Sequence, residues 1–122
     1  MVSPDVPDAF GRTTSNGWGT ADIGGSWSTS GTATQFSTDG SVGKHSPNAL
    51  NTSFRTFIGS YTNVRMRAKF NVRFDPSGAS VICGLLARYA DANNHYIFRV
   101  RINAVNATAA QLMIQKQVGG VL

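Results

Sequence analysis

At 122 residues the chain has room for one domain and one core, and is too short for two domains of ordinary size. Its 13 glycines, its many Ser, Thr and Asn residues and its complete lack of Glu favour strands and turns over helices. The net charge of +5 sets 11 Lys and Arg against six Asp, and no apolar run is long enough to span a bilayer, so membrane insertion is not expected.

Residues 1–7 carry Pro4 and Pro7 and read as an extended tail. They lack the basic start and apolar core of a signal peptide, so either the protein is not exported by that route or the signal lies outside this sequence. Asp8-Ala-Phe-Gly-Arg-Thr13 alternates enough to be a first strand. Residues 14–25 form a Gly-rich loop around Trp18. The loop lacks the Gly-Lys-Ser/Thr ending of a phosphate loop, so its glycines serve turns and close packing. Short strands are expected at 26–30, 33–37 and 53–58, with 38–41 and 44–48 as turn material.

Residues 62–74 give the clearest single strand. Val64, Met66, Ala68, Phe70 and Val72 alternate with Arg65, Arg67, Lys69, Asn71 and Arg73. Asp75-Pro-Ser-Gly is a turn. Residues 79–103 then read as a hairpin, two apolar runs around Asp91-Ala92-Asn93-Asn94. A four-residue loop there sets Tyr89 opposite Tyr96, Ala87 opposite Phe98, Leu85 opposite Val100 and Cys83 opposite Ile102. Those eight share an apolar face, and Arg88, Leu86 and Gly84 share the other with Ile97, Arg99 and Arg101. Residues 103–108 turn, and 109–118 form a last strand with Ala110, Leu112 and Ile114 facing in and Gln111, Met113, Gln115 and Gln117 facing out. Many short strands with turn punctuation predict an all-β chain, an antiparallel β-sandwich of the jelly-roll kind.

Two stretches resemble a known family. Asp8-Ala-Phe-Gly-Arg-Thr-Thr-Ser-Asn-Gly-Trp-Gly-Thr-Ala-Asp-Ile-Gly-Gly-Ser-Trp27 is similar to the start of concanavalin A-like (laminin G-like) jelly-roll modules of actinobacterial extracellular proteins and phage tail proteins. Arg88-Tyr-x-Asp-x-x-Asn-x-Tyr96 resembles the central strands of the same superfamily. The resemblance implies a sandwich over residues 8–122, an extracellular or virion-surface location and ligands on the concave side or at the loop rim. Family members continue with further strands beyond the position of Leu122. It follows that another chain completes the sandwich, that the sequence is a piece, or that this is a shortened variant. An unclosed sandwich leaves an apolar face and a sheet edge open to association.

The parities place Arg65, Arg67, Lys69, Arg73, Arg88, Arg99 and Arg101 on one side of adjoining strands. Such a face suits an anionic partner, an acidic cell-surface glycan above all; it equally suits a solvated face whose Arg stems cover Leu86 and Ile97. Nucleic acid is not expected, because no aromatics interleave with these arginines to stack bases. Trp18 is the candidate sugar-stacking residue, set against a structural role in packing the Gly-rich loop. Asp8, Asp22 and Asp91 are the carboxylates to consider for the Ca²⁺ that the resemblance brings, but no Asp-x-Asp cluster is present and turn capping explains them better. No metal site is expected: His45 and His95 are isolated. The lone Cys83 in a strand reads as a small buried hydrophobe. Glycosidases need two carboxylates, and those of this superfamily carry a Glu motif that this chain lacks, so catalysis is not expected. Asn51-Thr-Ser53 and Asn106-Ala-Thr108 match the glycosylation sequon, which matters only in a eukaryotic secretory setting. The sequence thus points to a non-catalytic glycan-binding module, using Arg65, Arg67, Arg88, Arg99, Arg101 and Trp18, or to a structural subunit that contacts other chains or its own copies.

Overall fold

A computed structural model describes residues 6–49, 52–59, 61, 65–73, 80–103 and 110–122. Expectations on residues 1–5, on the turn at 75–78, on the turn at 104–108 and on the sequon asparagines Asn51 and Asn106 lie outside the described residues. The chain divides into two units, residues 1–60 and 61–122. The described residues are all-β: three antiparallel sheets, one short 3-10 turn and no α-helix.

The first unit holds five short strands, β1 (Thr13–Ser15), β2 (Ser28–Ser30), β3 (Phe36–Asp39), β4 (Gly43–His45) and β5 (Arg55–Phe57), with a 3-10 turn at Ala33–Gln35. They form a β1-β3-β4 sheet and a separate β2-β5 pair. The boundaries differ from those read off the sequence. The first strand begins where Asp8–Thr13 was expected to end, Ala33–Gln35 winds into the 3-10 turn, and Lys44–His45 pairs with Phe36–Ser37 instead of turning. The β3–β4 turn is held by Asp39, whose Oδ1 accepts from the Ser41 and Val42 amides at 3.1 Å each. Its Oδ2 meets Lys44 Nζ at 2.6 Å, and that ammonium is the main reason the carboxyl sits far below the usual range.

Packing in this unit centres on Phe36, which is fully buried. Thr38 beside it is buried too, and its hydroxyl donates to Arg12 O at 2.7 Å. A second cluster joins Phe10, Trp18 and Trp27, with Trp18 edge-on to both others at 5.1 and 5.0 Å. Glycine is required at position 43, where a Cβ would stand 2.7 Å from Trp18 and 2.8 Å from Phe10.

Asp8 organises this cluster from beneath. Its side chain is 4 % exposed and receives Arg12 Nη1 and Nη2, each at 2.8 Å. It also receives Trp27 Nε1 at 2.6 Å and the Phe10 amide at 2.9 Å. Four donors on one carboxylate favour its charged form. The Arg12 guanidinium contributes most, and the pKa falls to about 2.

The second unit is one sheet, β6 (Val81–Asp91), β7 (Asn94–Ile102) and β8 (Ala110–Gln117), in the order β6-β7-β8. The hairpin turns on two residues, Ala92 and Asn93, because Asp91 and Asn94 still pair. Asp91 caps the turn: its Oδ1 accepts from the Asn93 amide at 2.7 Å and from Asn94 Nδ2 at 3.0 Å, and these bonds lower its pKa, the Asn94 bond most. The chain end returns to this tip, where Gly119 N donates to Asn94 Oδ1 at 3.0 Å and Gly120 N to Asn93 O at 3.1 Å.

Two expectations are corrected here. Residues 65–73 belong to no strand, and Met66 and Phe70 on the expected inner side are 36 % and 46 % exposed. Period-two alternation makes a strand only where a neighbour completes the ladder. The hairpin register is also displaced: Ala87 pairs with Tyr96, Leu85 with Phe98, Cys83 with Val100 and Val81 with Ile102. The shift lies between Ala87 and Asp91, where Arg88 adopts φ +48°. Three residues of β6 there face one of β7, so the slip is two residues and each side chain keeps its face.

Asp8→Ala is expected to lower the first unit's stability by about 2–4 kcal/mol, because it strands Arg12 and the Trp27 indole N–H; thermal melting followed by Trp fluorescence reads this. The acid limb follows from the same group. With a folded pKa of about 2 against an ordinary 3.8, the contribution of Asp8 is complete above 3.8 and is lost as pH falls from there through about 2. The Asp8→Ala protein therefore lacks that part of the wild-type decline.

Candidate functional site

The second unit's sheet presents two chemically different faces, because paired residues across an antiparallel ladder share a side. One face carries Val81, Cys83, Leu85 and Ala87, then Tyr96, Phe98, Val100 and Ile102, then Ala110, Leu112, Ile114 and Lys116. The other carries Ile82, Gly84 and Leu86, then His95, Ile97, Arg99 and Arg101, then Gln111, Met113, Gln115 and Gln117.

Along β8 and at Tyr96 and Phe98 exposure runs opposite to expectation, whereas Val81, Cys83, Leu85, Ala87, Val100 and Ile102 are half-buried and Ile82, Arg101 and Gln111 on the other face are exposed. On the apolar face Leu112 is 75 % exposed, Ile114 69 %, Phe98 41 % and Tyr96 36 %. On the polar face His95 is buried, and Ile97, Arg99, Met113, Gln115 and Gln117 are half-buried. The expectation that Leu112 and Ile114 face in while Met113, Gln115 and Gln117 face out is therefore corrected. Long polar side chains cover one another on their own face through their methylene stems. Nothing among the described residues covers Leu112 and Ile114 to a comparable degree.

Lys116 and Asp91 bring charge to the apolar face: Asp91 pairs with Asn94, which alternates onto the side of Tyr96 and Phe98, and Lys116 Nζ lies 5.9 Å from the centre of the Tyr96 ring. Cys83 lies half-buried on the same face, and burial pushes its thiol pKa up, which disfavours a reactive thiolate.

The structure gathers only part of the expected cationic row. Arg99 and Arg101 sit two residues apart on one face of β7. Arg101 is exposed, with Nη2 3.4 Å from Ser80 Oγ. Arg99 is half-buried, and Nη2 lies 4.0 Å from Met113 Sδ. Its Nε is buried without a hydrogen-bond partner, as is Gln115 Oε1 two positions along β8 from Met113. Arg88 is exposed at the register shift, off the regular ladder. Arg65, Arg67, Lys69 and Arg73 are exposed outside any strand, so no ladder aligns them with β7.

Trp18 belongs to the first unit. It is half-buried; Nε1 donates to Lys44 O at 3.0 Å, and its ring packs on Phe10, Trp27 and His45. His45 stands between Trp18 and Phe36, and desolvation there lowers its pKa. Its Nε2 lies 3.4 Å from Thr56 Oγ1. Asp8 and Asp22 both serve the N-terminal segment, Asp22 by accepting from the Ala9 amide at 2.9 Å. Among the described residues no three His, Cys, Asp or Glu side chains come together as metal ligands. No helix among them is long and apolar enough to cross a membrane.

Sequence reasoning found the two faces and missed that the apolar one is open along β8 and at Tyr96 and Phe98. The signal for that is absent from the strands themselves, since exposure depends on what packs above them. No family description, no curated protein and no solved structure matches the chain.

Arg99→Met is expected to leave the second unit as stable as before or up to about 2 kcal/mol more stable, because it removes a buried, unpaired N–H and keeps the apolar stem. Circular dichroism melting checks this. A loss of about 3–5 kcal/mol, as for one member of a buried ion pair, would show that the guanidinium is satisfied and structural.

Proposed function

We propose that the chain is a non-catalytic β-sandwich module of the concanavalin A-like kind, acting as an assembly subunit at a cell or virion surface. Its contact is made with protein, through the apolar face of the β6-β7-β8 sheet. One observation carries this reading: Leu112 and Ile114, with Phe98 and Tyr96 beside them, stand open to solvent on a face whose charges, Lys116 and Asp91, lie at one end.

A sheet with one apolar face is stable when a second layer covers it, and in sandwiches that layer is another sheet about 10 Å away. Three strands about 4.8 Å apart and about eight residues long give a face of roughly 400 Å². An apolar patch of that size matches the largest on a typical monomer, and such patches are often functional. The first occupant to test is a second copy. The face is self-complementary in character, and its charges, Lys116 and Asp91, are of opposite sign and lie at one end. Two flat faces of this size fall short of the roughly 1,600 Å² of a standard stable interface, so self-association through them is weak and concentration-dependent.

A cationic surface for an anionic glycan ranks below this. Arg88 and Arg101 are exposed, but Arg99 in the middle of the row lies half-covered beside Met113.

Light scattering of the wild-type chain is expected to show mass rising with concentration, and Leu112→Asp with Ile114→Asp to abolish the rise while the β signature in circular dichroism is retained. A wild-type protein that stays monomeric at millimolar concentration, or a double variant that associates as before, would contradict the proposal.

A further inference from the structure

Among the described residues β8 is laddered to β7 on one side only, and Ala110 to Lys116 present an open sheet edge on the other. We propose that this edge pairs antiparallel with the same edge of a second copy, about a twofold axis at Met113, so that two three-stranded sheets join into one. The proposal deepens the assembly reading and rests on it; it adds which backbone groups meet and in which register.

The first support is the direction of the backbone groups. Val118 N donates to Val121 O at 3.0 Å and Val121 N to Val118 O at 3.1 Å, whereas Gly119 N turns the other way, to Asn94 Oδ1 at 3.0 Å. Successive residues of a strand send their N–H and C=O to opposite sides. Val118 therefore faces away from β7, and along the unbroken β7–β8 ladder so do Lys116, Ile114, Leu112 and Ala110. Their amides and carbonyls have no strand partner among the described residues. A row of such groups is a template for another strand.

The second support is the register. A two-residue turn, with Gly119 at φ +58° and Gly120 at φ +85°, lays Val121 against Val118 and fills the edge at that end. The open stretch is then Ala110 to Lys116, and its midpoint is Met113. With the axis there, Leu112 lies opposite Ile114 of the second copy and Ala110 opposite its Lys116. These pairs exchange both backbone bonds, about eight across the interface. An axis one residue toward the chain end sets Ala110 against Val118, which Val121 already occupies. An axis between two residues sets apolar side chains against polar ones.

The third support is the side chains. This register keeps one face apolar across both sheets, and Leu112 and Ile114, 75 % and 69 % exposed, gain each other as neighbours. On the opposite face Met113 meets its own copy and Gln111 meets Gln115. Lys116 carries the only charge of the open stretch, and its two copies stand about 20 Å apart at opposite ends of the pairing. The other outer strand, β6, suits pairing less well. Its ladder shifts between Ala87 and Asp91, and exposed Arg88 stands at the shift.

Amide hydrogen exchange of the wild-type chain, followed by NMR from dilute to millimolar protein, tests the pairing. Exchange at Leu112, Ile114 and Lys116 is expected to slow about tenfold or more with concentration. Stacking of the apolar faces alone leaves those amides open. A mass that rises in light scattering without added protection there overturns the edge pairing and leaves the assembly reading standing; a chain that stays monomeric overturns both. Cysteine linkage in a Cys83→Ala background reads the register. Under mild oxidation Met113→Cys is expected to give a disulfide-linked dimer, because residue 113 faces itself, and Gln111→Cys to stay unlinked, because residue 111 faces 115. Met113 lies on the face opposite Leu112, so face stacking does not bring the two thiols together. Linkage of Gln111→Cys as readily as Met113→Cys, or of neither, would overturn the proposal.

Discussion

Strand pairing in the second unit is the constraint on which the functional reading rests. Once β7 is laddered to β6 and to β8, every side chain has its face assigned. Phe98 must lie with Leu85 and Ile114, and Arg99 with Gly84 and Met113. The pairing therefore concentrates apolar groups on one side regardless of what covers them. The hydrophobic effect then favours any layer that removes Leu112 and Ile114 from water, at about 25 cal/mol for each Å² buried. An apolar sheet face is in this sense a consequence of ladder geometry, and where it is left open it drives association.

The first unit solves its stability problem differently. Its strands are three or four residues long, and its fully buried large side chain is Phe36. Short strands give few ladder bonds, so side-chain anchoring takes over. Asp8 gathers Arg12, Trp27 and the Phe10 amide, Trp18 ties itself to Lys44 O, and Asp39 closes the β3–β4 turn. Trp18 and Trp27 both spend their indole N–H groups inside this network. That use fits a packing role for Trp18.

Parts of this were legible in the sequence. The hairpin and the last strand announced themselves because apolar and polar residues alternate on either side of Asp91-Ala92-Asn93-Asn94. The faces came out right although the register did not, because the slip at Arg88 is an even number of residues. An arginine at φ +48° gives no warning of itself, since glycine and asparagine are the usual occupants of that region. Residues 65–73 misled for a related reason: alternation reports the chemistry of a strand and says nothing about a neighbour to pair with. Asp8 read as the start of a strand or as a turn cap because its partner Trp27 is 19 residues away.

Solvent paramagnetic relaxation at the methyl groups of the second unit, recorded from dilute to concentrated protein, reads the central claim directly. The account predicts strong relaxation at Leu112 and Ile114 in dilute solution, weaker relaxation at Leu85, and progressive protection of Leu112 and Ile114 as concentration rises. Leu112 and Ile114 methyls already protected in the dilute monomer, or still fully accessible in the concentrated protein, would contradict it.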